Sequence, residues 1–349
     1  MKSTYQVMQV ATPGSLELAE RQTPHPKSGE VLIAVEACGI CGADATDIDR
    51  ADPTLQPPRV PGHEVVGRIA ALGPHTPSIW KVGQRVGVGR LGGHCNECSE
   101  CRRGHFNLCR NQPVVGSSCD GGYAEMMIAR ATGLVSVPDE LSSEEAAPIL
   151  CAGIATFNAL KKSGAEAGDT VAVLGIGGLG HMALQYARKM GFRVVAVGRG
   201  KDIAADAIEL GAHRYIDTNE ENPADAINAM GSAKAILATT GNPVAVTALM
   251  PALLPEGRLI VLGVGKDPLP VSTGYLVGAE RGIIGSITGS PFENEKTLDF
   301  SVLTGVRPKI ETMPLERAPE AVHKMRAGNA KFRIVLTIEG AIACASTTI

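Results

Sequence analysis

The sequence predicts an α/β protein of two parts, a β-rich, barrel-like domain followed by a doubly wound parallel sheet. Up to about residue 150, short apolar runs alternate with Gly- and Pro-rich turns, the pattern of many short strands. From Asp169 onward, strand-like and helix-like segments alternate, as a parallel sheet with crossover helices requires. The first of those strands runs directly into a glycine turn and then a helical stretch, Val171-Ala-Val-Leu-Gly175-Ile-Gly177-Gly178-Leu179-Gly180-His-Met-Ala-Leu. A length of 349 residues also exceeds what one ordinary core accommodates.

Taken in order, Val31–Val35, Val65–Ala70 and Gln84–Val88 have the length and β-branched content of strands. Ser142-Ser143-Glu144-Glu145 opens a helix, with a hydroxyl cap and acid in the first turn. Further strands read at Thr170–Gly175, Phe192–Gly198, Lys234–Thr239 and Arg258–Val264, and helices near His181–Met190, Asp202–Leu210 and Val244–Leu254. After about Ser290 come a helix and a last strand, Phe332–Ile338. The expected divisions are 1–150, 151–290 and 291–349.

Hydrophobic content of 44%, charged content of 20% and a net charge of -3 exclude a bulk basic field for nucleic acid or an anionic membrane. No apolar run approaches a membrane span. Met1–Tyr5 lacks the apolar core of a signal peptide, so a cytoplasmic protein is expected. The nine cysteines then read as metal ligands and reduced thiols rather than a disulfide framework. Cys38, Cys119 and Cys344 read as ordinary thiols.

Cys95-x2-Cys98-x2-Cys101-x7-Cys109 places four thiols close enough in sequence to close a tetrahedral site, and zinc suits it best. A second set, Cys41, the His63-Glu64 pair and Cys151, is dispersed along the chain. Two cysteines and one histidine leave a fourth zinc position open, which is the catalytic arrangement. The lobe around residues 95–109 carries Arg102, Arg103 and Arg110 but only Phe106 as an aromatic, which argues against a nucleic-acid module.

In the glycine turn, Gly175 permits the tight bend, Gly177 and Gly178 expose backbone to a pyrophosphate, and Leu179-Gly180 begins a helix that packs closely on its strand. The helix N-terminus stabilises phosphate charge. The second strand ends in Gly198-Arg199-Gly200-Lys201. The acid that takes an NAD ribose hydroxyl is absent there. Gly198 leaves room, and Arg199 with Lys201 supplies cations for a 2′-phosphate, so NADP(H) is expected ahead of NAD(H).

Together, Cys38-Gly-Ile-Cys41, Pro61-Gly-His63-Glu64, Gly92-Gly-His-Cys95, Asp120-Gly-Gly-Tyr-Ala124 and Leu150-Cys151-Ala-Gly153 resemble the zinc-dependent medium-chain alcohol dehydrogenases of the cinnamyl and bacterial type. The resemblance covers nearly the whole chain. It implies a GroES-like catalytic domain, a Rossmann domain, and a return of 291–349 to the catalytic domain. It makes Cys41, His63 and Cys151 the catalytic zinc ligands, a set for which alcohol dehydrogenase is the standard example. It places Glu64 beside the metal, Asp44 behind His63 as its orienting acid, and Arg333 on the cofactor pyrophosphate. It also implies two zinc ions per chain, a small alcohol, aldehyde or ketone substrate, and a homodimer or homotetramer built near Leu269–Gly285.

Three positions depart from the family pattern. Ala43 replaces a relay hydroxyl, with Thr46 or water as a substitute. Ala155 replaces a threonine near the nicotinamide, with Thr156 next to it. Arg90 replaces an aromatic residue of the substrate pocket. Arg90 either pairs with Asp47 or Asp49 or meets an anionic or strongly polar substrate. Ala43 also opens the reading of an imine or activated-alkene reductase, whose hydride acceptor needs no alcohol proton relay. A cofactor-binding protein without turnover is the reading of another class.

Overall fold

The alternation after Asp169 becomes a six-stranded parallel sheet in the computed structural model, which describes residues 2–338. Across the sheet the strands run Arg214–Asp217, Arg193–Gly198, Thr170–Leu174, Ala233–Ala238, Leu253–Val261 and Gly282–Gly285. In chain order that is 3-2-1-4-5-6, the doubly wound order whose reversal point lies beside the first strand. Val171–Val173, Val194–Val197 and Ala235–Ala238 are wholly buried, as strands covered on both faces must be, which explains their unbroken apolar runs. Gly282–Gly285 forms one outer edge.

Helix Gly180–Lys189 follows the glycine turn. The expected helix over Val244–Leu254 is shorter. It spans Pro243–Leu249, a tight turn follows at Met250–Ala252, and Leu253 already begins a strand. Pro251 disfavours helical continuation, and sheet pairing with Ala233–Ala238 claims the residues beyond it. That strand ends at Val261 rather than Val264.

A second sheet has seven strands, Ile310–Pro314, Arg333–Thr337, Glu30–Ile40, Glu64–Leu72, Arg85–Val88 and Leu134–Ser136 in order, with Met126–Arg130 also paired to Glu30–Ile40, and a third pairs Thr4–Thr12 with Ser15–Gln22. The last described strand thus lies antiparallel to Glu30–Ile40, with Ile334 opposite Ile40. The chain forms two compact units, Met1–Cys151 with Thr288–Ile349, and Ala152–Ile287. Among the described residues no helix is long and apolar enough to cross a membrane, and eight cysteines are free thiols. Cys344 lies outside the described residues.

Candidate functional site

Cys41 stands at the junction of strand Glu30–Ile40 and helix Gly42–Asp49. His63 and Glu64 follow Gly62, whose φ of +96° turns the chain into the next strand. A side chain at Gly62 would strike the Tyr123 ring at 2.3 Å. Cys151 sits in a π-helical turn, Ile149–Gly153, the kind of widened turn that re-aims a side chain at a functional position. Three loops and turns therefore converge, and the donor atoms of Cys41, His63, Glu64 and Cys151 lie within 4.8 Å of one another.

This geometry fits a tetrahedral zinc. Two thiolates about 2.3 Å from such an ion stand about 3.8 Å apart, and Cys41 Sγ lies 3.9 Å from Cys151 Sγ. His63 is fully buried, its Nδ1 hydrogen-bonded to Asp44 Oδ1 at 2.7 Å, while its Nε2 has no partner among the described residues. An orphaned buried imidazole nitrogen is expensive unless a ligand takes it. Burial alone would lower the His63 pKa, but Asp44 and Cys41 hold it well above the ordinary value, so the site favours positive charge. Cys151 and then His63 pull the Cys41 thiol well below its usual range, against the opposing cost of burial.

Asp44 is wholly buried and fully engaged. Besides His63 it accepts the Cys41 N–H at 2.8 Å and the Tyr123 hydroxyl at 3.2 Å. Glu64 pairs with Arg333, both buried. Burial pushes the Glu64 carboxyl up to about 7, with Arg333 pulling it back. Glu64 Oε2 and Arg333 Nε have no partner among the described residues, so each keeps unused capacity for a ligand. Gly39 makes this possible, because a Cβ there would lie 2.0 Å from Glu64 Oε2.

Arg90 forms a two-pronged pair with Asp47, whose Oδ1 accepts from Nη2 at 3.0 Å, and Asp49 binds Arg326 instead. Arg90 Nη1 also lies 3.4 Å from His63 Nδ1. The guanidinium already has its counter-charge, so the physical motive for an anionic substrate at Arg90 falls away. Thr46 is exposed and Ala43 half-buried on the same helix. In the other unit Ala155 is buried, and the Thr156 hydroxyl donates to the backbone of Ala152 and Gly153 within its own helix. Thr156 therefore offers no free hydroxyl in place of Ala155.

The four sulfurs of Cys95, Cys98, Cys101 and Cys109 also lie within 4.8 Å of one another. Cys98 is 3.5 Å from Cys101 and 4.0 Å from Cys109, and Cys95 is 3.9 Å from Cys101, again the edges of a tetrahedral thiolate cage. Backbone N–H groups of Glu97 and Cys98 point at Cys95 Sγ, and that of Asn111 at Cys109 Sγ. The Glu97 and Cys98 donors lower the Cys95 pKa to about 6.

In the parallel-sheet unit, Gly175 has φ +90°, and a Cβ at Gly180 would lie 2.0 Å from Gly175 O, so strand and helix meet only through glycine. Gly177 has open space where its Cβ would be, as close approach of a phosphate requires. Leu179 precedes the helix, and Gly178 lies in the turn before it. At the end of the second strand, Arg199 is exposed, while Lys201 pairs with exposed Glu220 at 3.1 Å. Sequence reasoning missed Tyr123 on Asp44 and the clearance at Gly39. The Asp120-Gly-Gly-Tyr123 run was the available signal for the first.

Comparison with known proteins identifies the family. The profile described as alcohol dehydrogenase GroES-like domain matches residues 27–139, and that of zinc-binding dehydrogenase matches 178–302. Alcohol dehydrogenase patD of Penicillium expansum is 40% identical over 93% of this chain and 94% of its own length. Acetophenone reductase from Geotrichum candidum, solved with NAD, superposes with a TM-score of 0.85 at 26% identity, covering 97% of this chain and 98% of its own. CAD from Helicobacter pylori, solved with NADP(H), gives 0.84 at 25%, covering 97% and 99%. The likeness extends through both units, and the chain belongs to the zinc-type medium-chain alcohol dehydrogenases, enzymes that act on alcohols with a nicotinamide cofactor.

Proposed function

We propose that this enzyme interconverts alcohols and aldehydes or ketones with NADP(H) in preference to NAD(H), and holds two zinc ions per chain. The catalytic ion would sit on Cys41, His63 and Cys151 with Glu64 beside it, and the structural ion on Cys95, Cys98, Cys101 and Cys109. The observation that carries the reading is His63, whose buried Nε2 has no partner among the described residues and which groups with two thiols within 4.8 Å. When bound, zinc supplies a Lewis acid for the substrate oxygen and the nicotinamide supplies or accepts a hydride.

The protein's own groups do the positioning. Asp44 keeps the His63 proton on Nδ1 and leaves the Nε2 lone pair outward. Arg333 neutralises Glu64, and its Nε, without a partner among the described residues, suits a cofactor pyrophosphate. Arg90 and Asp47 give the site a polar, charge-balanced wall where the family resemblance implies an aromatic ring. Gly175, Gly177, Gly178, Leu179 and Gly180 would hold the pyrophosphate, and Gly198, Arg199 and Lys201 the 2′-phosphate. Ala43 supports a second reading, reduction of imines or activated alkenes, because no hydroxyl there hands on a proton. A cytoplasmic homodimer or homotetramer, joined through the Gly282–Gly285 edge, completes the proposal.

Turnover of aldehydes, ketones, imines and enones with NADPH and NADH, combined with zinc analysis, tests these readings. Alcohol–carbonyl turnover with higher kcat/KM for NADPH is expected. Arg199→Ala should weaken NADPH by about 1.5–3 kcal/mol, the worth of a charge-assisted contact, and leave NADH nearly unchanged. Equal or better use of NADH by the native enzyme overturns the cofactor reading, and turnover confined to imines or enones overturns the substrate reading.

A further inference from the structure

The turn Gly198-Arg199-Gly200-Lys201 is tied down from the neighbouring strand, Arg214–Asp217. Thr218 donates its N–H to Gly198 O at 3.0 Å. The Gly200 N–H donates to Asp217 Oδ1 at 2.9 Å, and the Tyr215 hydroxyl donates to Gly200 O at 2.6 Å. Gly200 is thus held by both its backbone groups. It needs holding, because its φ is +93° and two glycines flank Arg199, the residue type that leaves a chain most freedom. Burial, with Asp217 and Asp202 adding to it, raises the Tyr215 pKa to about 12, so the hydroxyl remains a donor.

Tyr215 also fills a particular space. A Cβ on Gly198 would lie 2.8 Å from the Tyr215 hydroxyl and 2.9 Å from its ring. Any acid at position 198, the position from which an NAD ribose is bound, collides with Tyr215. Asp217 brings a carboxylate to the same corner, but its Oδ1 is taken by the N–H groups of Gly200 and Asn219. Among the described residues Arg199 is exposed and has no carboxylate partner, so it is free for an added phosphate.

We propose that Tyr215 is a positioning residue for cofactor choice: it occupies the space of a ribose-binding acid and clamps the turn so that Arg199 faces a 2′-phosphate. The inference rests on the NADP(H) reading above. Its physical basis is preorganisation, since a fixed turn loses less freedom when the phosphate binds.

The test is calorimetric binding of 2′,5′-ADP and 5′-ADP to the zinc-loaded enzyme, which needs no turnover. Tyr215→Phe keeps the ring and deletes the donor. It should weaken 2′,5′-ADP about three- to tenfold, the worth of one net hydrogen bond, and change 5′-ADP less than about twofold. In an Arg199→Ala background the same change should alter 2′,5′-ADP by less than about twofold, because Tyr215 acts through Arg199. As a second pair of variants, Gly198→Asp should gain NADH affinity only when Tyr215→Ala accompanies it. Native enzyme that binds both nucleotides equally overturns the NADP(H) reading itself. Native discrimination that survives Tyr215→Phe, an equal loss for both nucleotides, or NADH gain by Gly198→Asp alone overturns the role of Tyr215 and leaves that reading standing.

Discussion

Replacing Asp44 with Asn should loosen the catalytic metal while leaving the four-cysteine lobe loaded. Asp44 is buried and takes three donors, His63 Nδ1 at 2.7 Å, Cys41 N at 2.8 Å and Tyr123 Oη at 3.2 Å. Asparagine keeps the shape but brings an amino group. Turned toward His63, that group opposes the Nδ1 proton and favours the tautomer with its proton on Nε2, the atom that must face the metal. Turned the other way, it meets the Cys41 N–H, which cannot rotate. Either arrangement forfeits at least one charge-assisted hydrogen bond, worth about 1.5–3 kcal/mol. Loss of such a support commonly costs about 10–100-fold in metal affinity, or about 1.4–2.7 kcal/mol. Titration with a chelator, read as zinc per chain, should strip one ion from Asp44→Asn at correspondingly lower chelator concentration. If native and variant chains give up that ion together, Asp44 does not support His63 in the way its geometry requires.

Cys98→Ser should leave one zinc per chain and render residues 95–109 sensitive to limited proteolysis, at a cost below the roughly 10 kcal/mol of isolated finger peptides; a resistant lobe would contradict the cage. Arg90→Trp strands the Asp47 carboxylate, now 10% exposed, and should destabilise by roughly 3–5 kcal/mol in denaturant melts. Adding Asp47→Leu should recover most of that loss, and a single variant as stable as the native chain would show the pair to be dispensable. Ala43→Ser should raise oxidation of simple primary alcohols, by up to about 10²–10⁴ where proton transfer limits the rate; unchanged kcat means that another group carries the proton. After zinc removal at pH 7, alkylation should reach Cys95, pKa about 6, well before Cys101, whose burial and thiol neighbours raise it to about 12. A lowered thiol pKa means thiolate above it, so Cys95 alkylation should slow about tenfold per pH unit as pH falls below about 6, with Cys101 still the slower thiol; mass mapping checks the order.

What the sequence made legible was local. The glycine turn lies within six consecutive residues and the four-cysteine lobe within fifteen, so spacing alone carries their geometry. The dispersed Cys41, His63 and Cys151, proposed as ligands, needed the family resemblance, since nothing in their spacing brings them together. Their supports were harder still. Tyr123 reaches Asp44 across 79 positions, and Tyr215 stands under Gly198 only because two strands pair in parallel with Asp217 opposite Gly198. Arg90 left two acids as candidate partners, and only the helix from Gly42 to Asp49 decides for Asp47 by turning Asp49 toward Arg326. The helix over Val244–Leu254 was overextended because apolar residues continue through the turn into the next strand, where periodicity cannot separate the two.

The pairing of Glu64 with Arg333 spans 269 positions, and it sets an order of maturation. The lobe of Cys95–Cys109 has all four of its proposed ligands within one short stretch and could load as soon as that stretch is made. Glu64, by contrast, is a buried acid whose cation is supplied by the last described strand. At about 5–20 residues per second, roughly 15–55 s of synthesis separates the two partners. A growing chain would therefore hold its four clustered cysteines together well before Glu64 meets its cation, and Glu64 stays without that partner until residue 333 is made.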